Sequence, residues 1–355
     1  MLTILENISL APFTTLGIGG PATYFAECTT VSSLLAEVAW AKSHGVPLFV
    51  LAGGSNVVVS DDGFRGLILR LSIKGIETRI DGAQVFITAG AGEEWDPLVE
   101  TCVRNNWAGI ECLSGIPGRV GATPIQNVGA YGQETSESFV SLEAFDTRTG
   151  ESLRMRREDC EFGYRASRFR TRDSGRFIIT SVTYSLTVNG KPSVRYGELA
   201  HHLEERGIRE PALLDVRQAV LALRRRKAMV VDPNEPNSRS AGSFFMNPVV
   251  SHNEFAQINQ RALQVISDNG PMPQYPMPNG DVKLSAAWLI ENAGFKRGYV
   301  HGNVGTSSRH SLAIINRGNG TAREVLELAD QIRSRVAAVF GVDLSPEPIF
   351  VGFEE

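Results

Sequence analysis

Apolar residues recur at helical spacing over residues 31–44 and stop before Gly45, so the spacing predicts a helix there. An apolar run at 47–51 then predicts a buried strand, a turn over 52–56 and a further strand over 57–60, which together make a small α/β unit. Between 67 and 184 the pattern changes to short alternating or apolar runs, at 66–71, 84–89 and 177–184, with one helix, 95–106, interrupting the strands. Residues 1 to about 220 therefore read as an α+β region. The polar, proline-containing stretch 229–241 reads as a linker between domains. Beyond it the pattern predicts helices at 253–268, 285–292 and 321–340, a strand at 311–316 and an extended segment at 348–352. Glu324, Glu327 and Arg333 fall on the surface of the 321–340 helix and read as structural.

Two stretches break this patterning. Residues 114–132, Ser-Gly-Ile-Pro-Gly-Arg-Val-Gly-Ala-Thr-Pro-Ile-Gln-Asn-Val-Gly-Ala-Tyr-Gly, are too rich in glycine and proline for a helix or strand interior and offer bare backbone. The shorter one is Ala52-Gly53-Gly54-Ser55-Asn56. Successive main-chain N–H groups in such turns make concave anion sites, for which phosphate is the natural guest. Two of them suggest a ligand with an extended phosphate spine. For the shorter segment alone, a tight turn is an equal explanation.

A chain of 355 residues suggests two or three domains, and 42% hydrophobic content with mixed charge marks a globular one. The net charge of -4 and the pI of about 6.0 argue against a polynucleotide partner, and the basic clusters at 154–157 and 224–227 are too short to reverse that. Cys28, Cys102, Cys112 and Cys160 form no C-x-x-C pair and have no histidines at ligand spacing, so reduced thiols and no metal are expected. HExxH, Walker-A and GxSxG signatures are absent. Gly17-Ile18-Gly19-Gly20 lacks the preceding strand that a Rossmann fold needs. The first residues carry no basic leader and no run of about 18 apolar residues occurs, so a cytoplasmic protein is expected.

Three positions could carry chemistry. Arg165 in Phe162-Gly163-Tyr164-Arg165 is able to reach a bound anion or cofactor ring, although by itself the motif is better read as a surface arginine stacked on Tyr164. Ser243 stands beside Phe244 and Phe245, where a hydroxyl in a dry pocket donates a proton, although a turn or N-cap serine has the same local sequence. Glu347 is pinned between Pro346 and Pro348, a placement that suits a directed acid as well as an exposed turn carboxylate.

The order of the motifs decides between these readings: AGGSN, SGIPGRVGATPIQNVGAYG, FGYR, AGSFFMNP, KLSAAWLIENAGFKRG, SSRHSLAIIN and PEPIFVG. Nearly end to end, from Thr15 to Gly352, it resembles the UDP-N-acetylenolpyruvoylglucosamine reductase family, in the longer type with a tyrosine loop that covers substrate. The resemblance implies an α+β fold: a two-lobed vanillyl-alcohol-oxidase/PCMH-type FAD-binding domain plus a C-terminal α/β substrate-binding domain. Its boundaries would be 1–65 and 66–228 for the two FAD lobes, 229–342 for the substrate domain, and 343–355 for a C-terminal segment returning to the flavin. It implies non-covalent FAD, since neither loop has a histidine or cysteine at an attachment position. The cofactor-binding residues would be Gly53, Gly54, Ser55, Asn56, Ser114, Gly118, Gly121, Ala122, Ile125, Gln126, Asn127, Gly129, Ala130, Tyr131, Ile179 and Arg224. Arg165, Ser243 and Glu347 would be catalytic, and Tyr164, Tyr196, Lys227, Asn247 and His310 would bind substrate. NADPH is the implied co-substrate, UDP-N-acetylglucosamine enolpyruvate the implied substrate, and the protein is expected to be a monomer with no nucleic-acid or membrane partner.

The chain departs from the family pattern in the longer stretch between Lys227 and Gly242 and in Ile349, where some relatives carry arginine. A hydride added to the enolpyruvyl methylene carbon pushes charge into the carboxylate, which Arg165 and Glu347 would stabilise, while Ser243 protonates C2. An oxidase on the same FAD scaffold would use the first 220 residues in the same way but has no use for GSFFMNP and PEPIFVG. A nucleotide-sugar sensor would bind ligand without turnover.

Overall fold

The computed structural model describes residues 3–265, 270–277 and 279–353, and in it the helix expected after Cys28 runs over Val31–Ser43. Thr30 and Ser33 begin it with a reciprocal capping box: the Ser33 amide donates to Thr30 Oγ1 at 3.0 Å and the Thr30 amide to Ser33 Oγ at 3.3 Å. Strand Leu48–Leu51 follows and pairs in parallel with Phe64–Leu71, in a four-stranded sheet completed by Pro21–Cys28 and Leu5–Ser9. The strand expected after the glycine turn is Val57–Val59. It joins a different sheet, pairing in parallel with Ile349–Val351.

The chain forms two compact units, each discontinuous in sequence. The first comprises Met1–Ile8, Ala22–Gly53 and Arg65–Val230; the second comprises Ser9–Pro21, Gly54–Phe64 and Val231–Glu355. The second unit's main segment thus begins inside the stretch expected to be a linker.

The first unit is built on antiparallel strands in the order Glu151–Arg156, Phe139–Asp146, Phe177–Val188, Gln84–Gly90 and Ile76–Asp81, with Trp107–Ala108 pairing the end of Phe177–Val188. Burial alternates along Gln84–Gly90 and Phe177–Val188, as a sheet with one face on the core requires. Helix Trp95–Arg104 lays Trp95, Leu98, Val99, Cys102 and Val103 onto that core. Two helices escaped the sequence reading, Gly197–Glu205 and Leu213–Arg226. The buried stripe of the second is Leu213, Val216, Arg217, Val220, Leu223 and Arg224, so two arginines occupy core positions and hide the apolar period.

In the second unit, helices His252–Val265, Ala286–Asn292 and Ala322–Phe340 surround a core that includes Phe244, Phe245, Trp288, Leu328 and Phe340. The expected 253–268 helix is seen to Val265, and Ile266–Asp268 lie outside the described residues. The expected 311–316 strand is Ile314–Asn316. The last helix ends at Gly341 with φ +74°, the left-handed cap that glycine adopts without strain. At its other end, Asp61 accepts from the amides of Ala322 and Arg323 at 2.8 and 3.0 Å, opposite the positive end of the helix dipole. The expected surface positions are structural: Glu324 closes the capping box with Thr321, Glu327 meets His301 and Arg333 meets Asp343. Among the described residues, no helix is long and apolar enough to cross a membrane.

Candidate active site

In the first unit the 114–132 segment is mostly irregular, with a single 3-10 turn at Val120–Ala122 and a short pairing of Gly129–Ala130 with Gln133–Glu134. The two glycine loops meet there. A Cβ on Gly53 would lie 2.6 Å from the Cα of Gly118, so backbone packs directly on backbone. Nearby, the carbonyl of Gly118 accepts from the Trp95 amide at 3.1 Å, the Gly121 amide donates to Ala91 at 2.9 Å and the Val120 amide to Glu93 at 2.9 Å. Among the described residues, the amides of Ile116 and Gly118 donate to no protein acceptor. Bare N–H groups at a close glycine contact are what a dinucleotide diphosphate needs. Arg224 adds a buried Nε without a hydrogen-bond partner, 3.4 Å from where a Cβ of Gly115 would stand. The site therefore fits FAD.

Three residues expected at the cofactor have side chains committed elsewhere. Ser114 Oγ is buried and donates to the Glu111 carbonyl at 2.6 Å. Asn127, with φ +44°, donates through Nδ2 to Glu134 at 2.7 Å and to the Gly163 carbonyl at 3.0 Å, and its Oδ1 accepts from the Ser136 amide at 3.0 Å. Ile179 is buried in the core of the antiparallel sheet. These three side chains are thus taken up within the protein. Gly54 is glycine for an internal reason, since at φ +61° its Cβ would lie 1.9 Å from the Phe13 carbonyl oxygen within the second unit.

The arginine loop is stitched to the glycine loop. Besides the Asn127 bond to Gly163, Arg165 Nη2 donates to the Gly129 carbonyl at 2.6 Å, Ser167 Oγ donates to the Ile125 carbonyl, and Arg170 Nη1 donates to Gln126 Oε1 at 3.0 Å. Arg165 has φ +52°, a conformation that costs an L-residue energy and that this stitching imposes. Its guanidinium also lies 5.8 Å from the Tyr164 ring centre, so the stacked arrangement and the bond into the cofactor loop coexist. Downstream, Asp173 holds Arg168 at 2.7 Å and Arg176 at 3.2 Å, and Asp146 grips Arg176 at 2.6 Å.

A third cluster gathers around Tyr131 and Tyr196, whose rings meet edge to face at 5.5 Å and 87°. Burial pushes the Tyr131 phenol up to about 12. Lys227 Nζ is 2.6 Å from Glu198, which also holds Arg226 at 3.0 Å. Burial alone would raise the Glu198 carboxyl, but Lys227 and Arg226 together bring it below its ordinary range. Burial lowers the Arg224 pKa, and its Nη2 donates to the Met229 carbonyl at 2.7 Å.

In the second unit, 242–247 runs beside 345–349. The Met246 amide donates to the Ser345 carbonyl at 3.0 Å and the Glu347 amide to the Phe244 carbonyl at 2.8 Å. Asn56 closes the other side: its Nδ2 donates to the Glu347 carbonyl at 3.2 Å, and its own carbonyl accepts from the Ile349 amide at 3.0 Å. The backbone of Glu347 is thereby bonded to Asn56 on one side and, on the other, to Phe244, the residue after Ser243. Phe244 and Phe245 are each 1% exposed, whereas Ser243, at the bend that Gly242 makes with φ +78°, is half-buried rather than sealed. Asn247 Oδ1 accepts from the Ala286 amide at 2.9 Å and fixes the start of a helix. The His310 carbonyl accepts from the Ala313 amide at 3.1 Å.

Sequence reasoning overlooked Asp96, Arg217 and Glu198, which hold these segments. Arg217 donates to Asp96 at 2.6 and 3.0 Å. A polar residue in the first turn of a predicted helix and arginines at apolar-stripe positions were the available signals.

Residues 22–156 match a family model described as an FAD binding domain, and residues 233–351 match the UDP-N-acetylenolpyruvoylglucosamine reductase, C-terminal domain. An FAD-binding domain joined to a reductase C-terminal domain defines an FAD-dependent oxidoreductase. A UDP-N-acetylenolpyruvoylglucosamine reductase of Thermobifida fusca is 46% identical over 350 residues, covering 98% of each chain. One of Streptomyces coelicolor is 42% identical, covering 98% of this chain and 90% of its own. The chain belongs to the UDP-N-acetylenolpyruvoylglucosamine reductase family. The crystal structure of the Thermus caldophilus reductase shares the fold, with a TM-score of 0.66 at 24% identity over 99% of this chain and 100% of that one.

Proposed function

We propose that the chain reduces UDP-N-acetylglucosamine enolpyruvate to UDP-N-acetylmuramate with NADPH, through non-covalent FAD, in the synthesis of peptidoglycan precursors. The observation that supports this reading is the backbone pairing of 242–247 with 345–349, which joins the segment carrying Ser243 to the segment carrying Glu347 in a chain of this family. When bound, FAD supplies the hydride that NADPH delivers to it. Arg165 balances the negative charge that moves into the enolpyruvyl carboxylate as the hydride adds to the methylene carbon, and Glu347 neutralises it as an acid. Ser243 Oγ gives the proton to C2. A hydroxyl is a weak acid in water, so its use depends on the apolar wall of Phe244 and Phe245.

The residues proposed to hold FAD are Gly53, Gly54, Ser55, Asn56, Gly118, Gly121, Ala122, Ile125, Gln126, Gly129, Ala130, Tyr131 and Arg224, with Ser114, Asn127 and Ile179 contributing backbone. Tyr164, Tyr196, Lys227, Asn247 and His310 are proposed to bind the nucleotide sugar. Residues 1–65 and 66–228 are assigned to the two cofactor lobes, 229–342 to substrate and 343–355 to the returning segment. The protein is proposed to work in the cytoplasm as a monomer, without nucleic acid or membrane.

Anaerobic stopped-flow absorbance at the flavin band tests the reading. NADPH should bleach the band and the enolpyruvyl nucleotide sugar should restore it rapidly. Bleaching without restoration would keep the flavin and overturn the substrate.

A further inference from the structure

Asp96, in the first turn of helix Trp95–Arg104, accepts from the Gly115 amide at 2.6 Å through Oδ1. The same carboxylate takes both guanidinium nitrogens of Arg217, at 2.6 and 3.0 Å. Arg217 is buried on helix Leu213–Arg226 and also approaches Glu100 at 3.5 Å. The residue before Asp96 makes two more bonds to the same loop: the Trp95 amide donates to Gly118 at 3.1 Å and its indole N–H to Leu113 at 3.1 Å. The loop is therefore pinned at the Gly115 amide and at the Gly118 carbonyl. Between the pins lie the unpartnered amides of Ile116 and Gly118, separated by Pro117, which has no N–H.

We propose that Asp96 is a positioning residue for the cofactor diphosphate: it takes the Gly115 amide out of the site and sets the Ile116 and Gly118 amides as the donors, while Arg217 cancels its charge. A carboxylate so close to a diphosphate would repel it, and the bidentate arginine is what makes Asp96 compatible with an anion site. The inference rests on the chain's FAD-binding reading.

The two parts of the role separate in a set of variants assayed as apoprotein by titration with FAD, with flavin fluorescence as the readout and apoprotein Tm measured alongside. Arg217→Met leaves the carboxylate uncompensated and should weaken FAD binding by about tenfold or more, with the loss shrinking as salt is raised. Asp96→Asn/Arg217→Met removes both charges but keeps an acceptor for the Gly115 amide, and should recover most of that affinity. Asp96→Ala/Arg217→Met removes the acceptor as well and should stay weak at a Tm similar to that of the Asn double variant. Equal FAD affinity in the two double variants, or losses that follow Tm alone, would overturn the role of Asp96. Failure of the unaltered apoprotein to take up FAD would instead overturn the cofactor reading.

Discussion

The Glu347 amide donates to the carbonyl oxygen of Phe244 at 2.8 Å, so the carboxyl and the hydroxyl of Ser243, one residue before Phe244, belong to neighbouring segments of one unit. Their separation in sequence is spanned by a bond between backbone atoms, which survives substitution of either side chain. Variants at Ser243 and Glu347 keep the donor and acceptor of that bond and so test the proposed chemistry.

Ser243→Ala should retain flavin reduction by NADPH and lose flavin reoxidation by the enolpyruvyl substrate by about 100- to 10,000-fold, the range of a lost proton donor. Single-turnover measurement of each half-reaction checks this. Equal losses in both would remove Ser243 from proton delivery.

Gly53→Ala should yield protein purified without flavin. The added methyl meets the Gly118 backbone, at 2.6 Å from Cα and 3.1 Å from the carbonyl carbon, and the Gly118 side cannot yield without disturbing the pins on 113–121. The absorbance ratio of flavin to protein is the measurement, and full flavin content in the variant would count against the contact as the cofactor's cradle.

Acid should destabilise the first unit through Asp146. Hydrogen bonding to Arg176 is the largest influence on its carboxyl, pulling it from 3.8 down to about 2. A group depressed in the folded state contributes fully above its unfolded pKa, and that contribution is lost as pH falls from about 4 towards 2. Asp146→Asn should be less stable at neutral pH and show a shallower stability decline within that window, measured by urea unfolding at each pH. An unchanged slope would assign the acid sensitivity elsewhere.

All four cysteines are free and buried. Burial pushes the Cys28 thiol up to about 11 and those of Cys102, Cys112 and Cys160 to about 12, so the reactive thiolate is scarce. A thiol-specific reagent should label the native protein negligibly at pH 8 and label all four sites in denaturant. Rapid labelling of native protein, located by mass spectrometry, would identify a segment that opens.

Much of this architecture was legible in the chain because single-period segments announce themselves: the helices at 31–44 and 321–340 and the strands at 84–89 and 177–184 fall within a few residues of expectation. The glycine loops were legible as bare backbone, but not the division of labour inside them. Nothing local in Asn127 says that its amide group is spent on Glu134, Gly163 and Ser136, and nothing in Gly54 says that Phe13 requires it. Helix Leu213–Arg226 was missed because Arg217 and Arg224 stand where a leucine would complete the stripe, and what keeps Arg217 there is Asp96, more than a hundred residues earlier. Long-range pairing is invisible to periodicity, and the polar parts of the site depend on it.

The parallel pairing of Val57–Val59 with Ile349–Val351 has a bearing on biosynthesis. At a ribosomal rate of about 5–20 residues per second, roughly 15 to 60 s separate the emergence of these two strands. Val57, Val58 and Val59, all buried in the finished molecule, lack their partner strand for that whole interval. The second unit therefore cannot close this pairing until 349–351 has been made, and the nascent chain presents an unpaired valine strand for chaperones to shield until then.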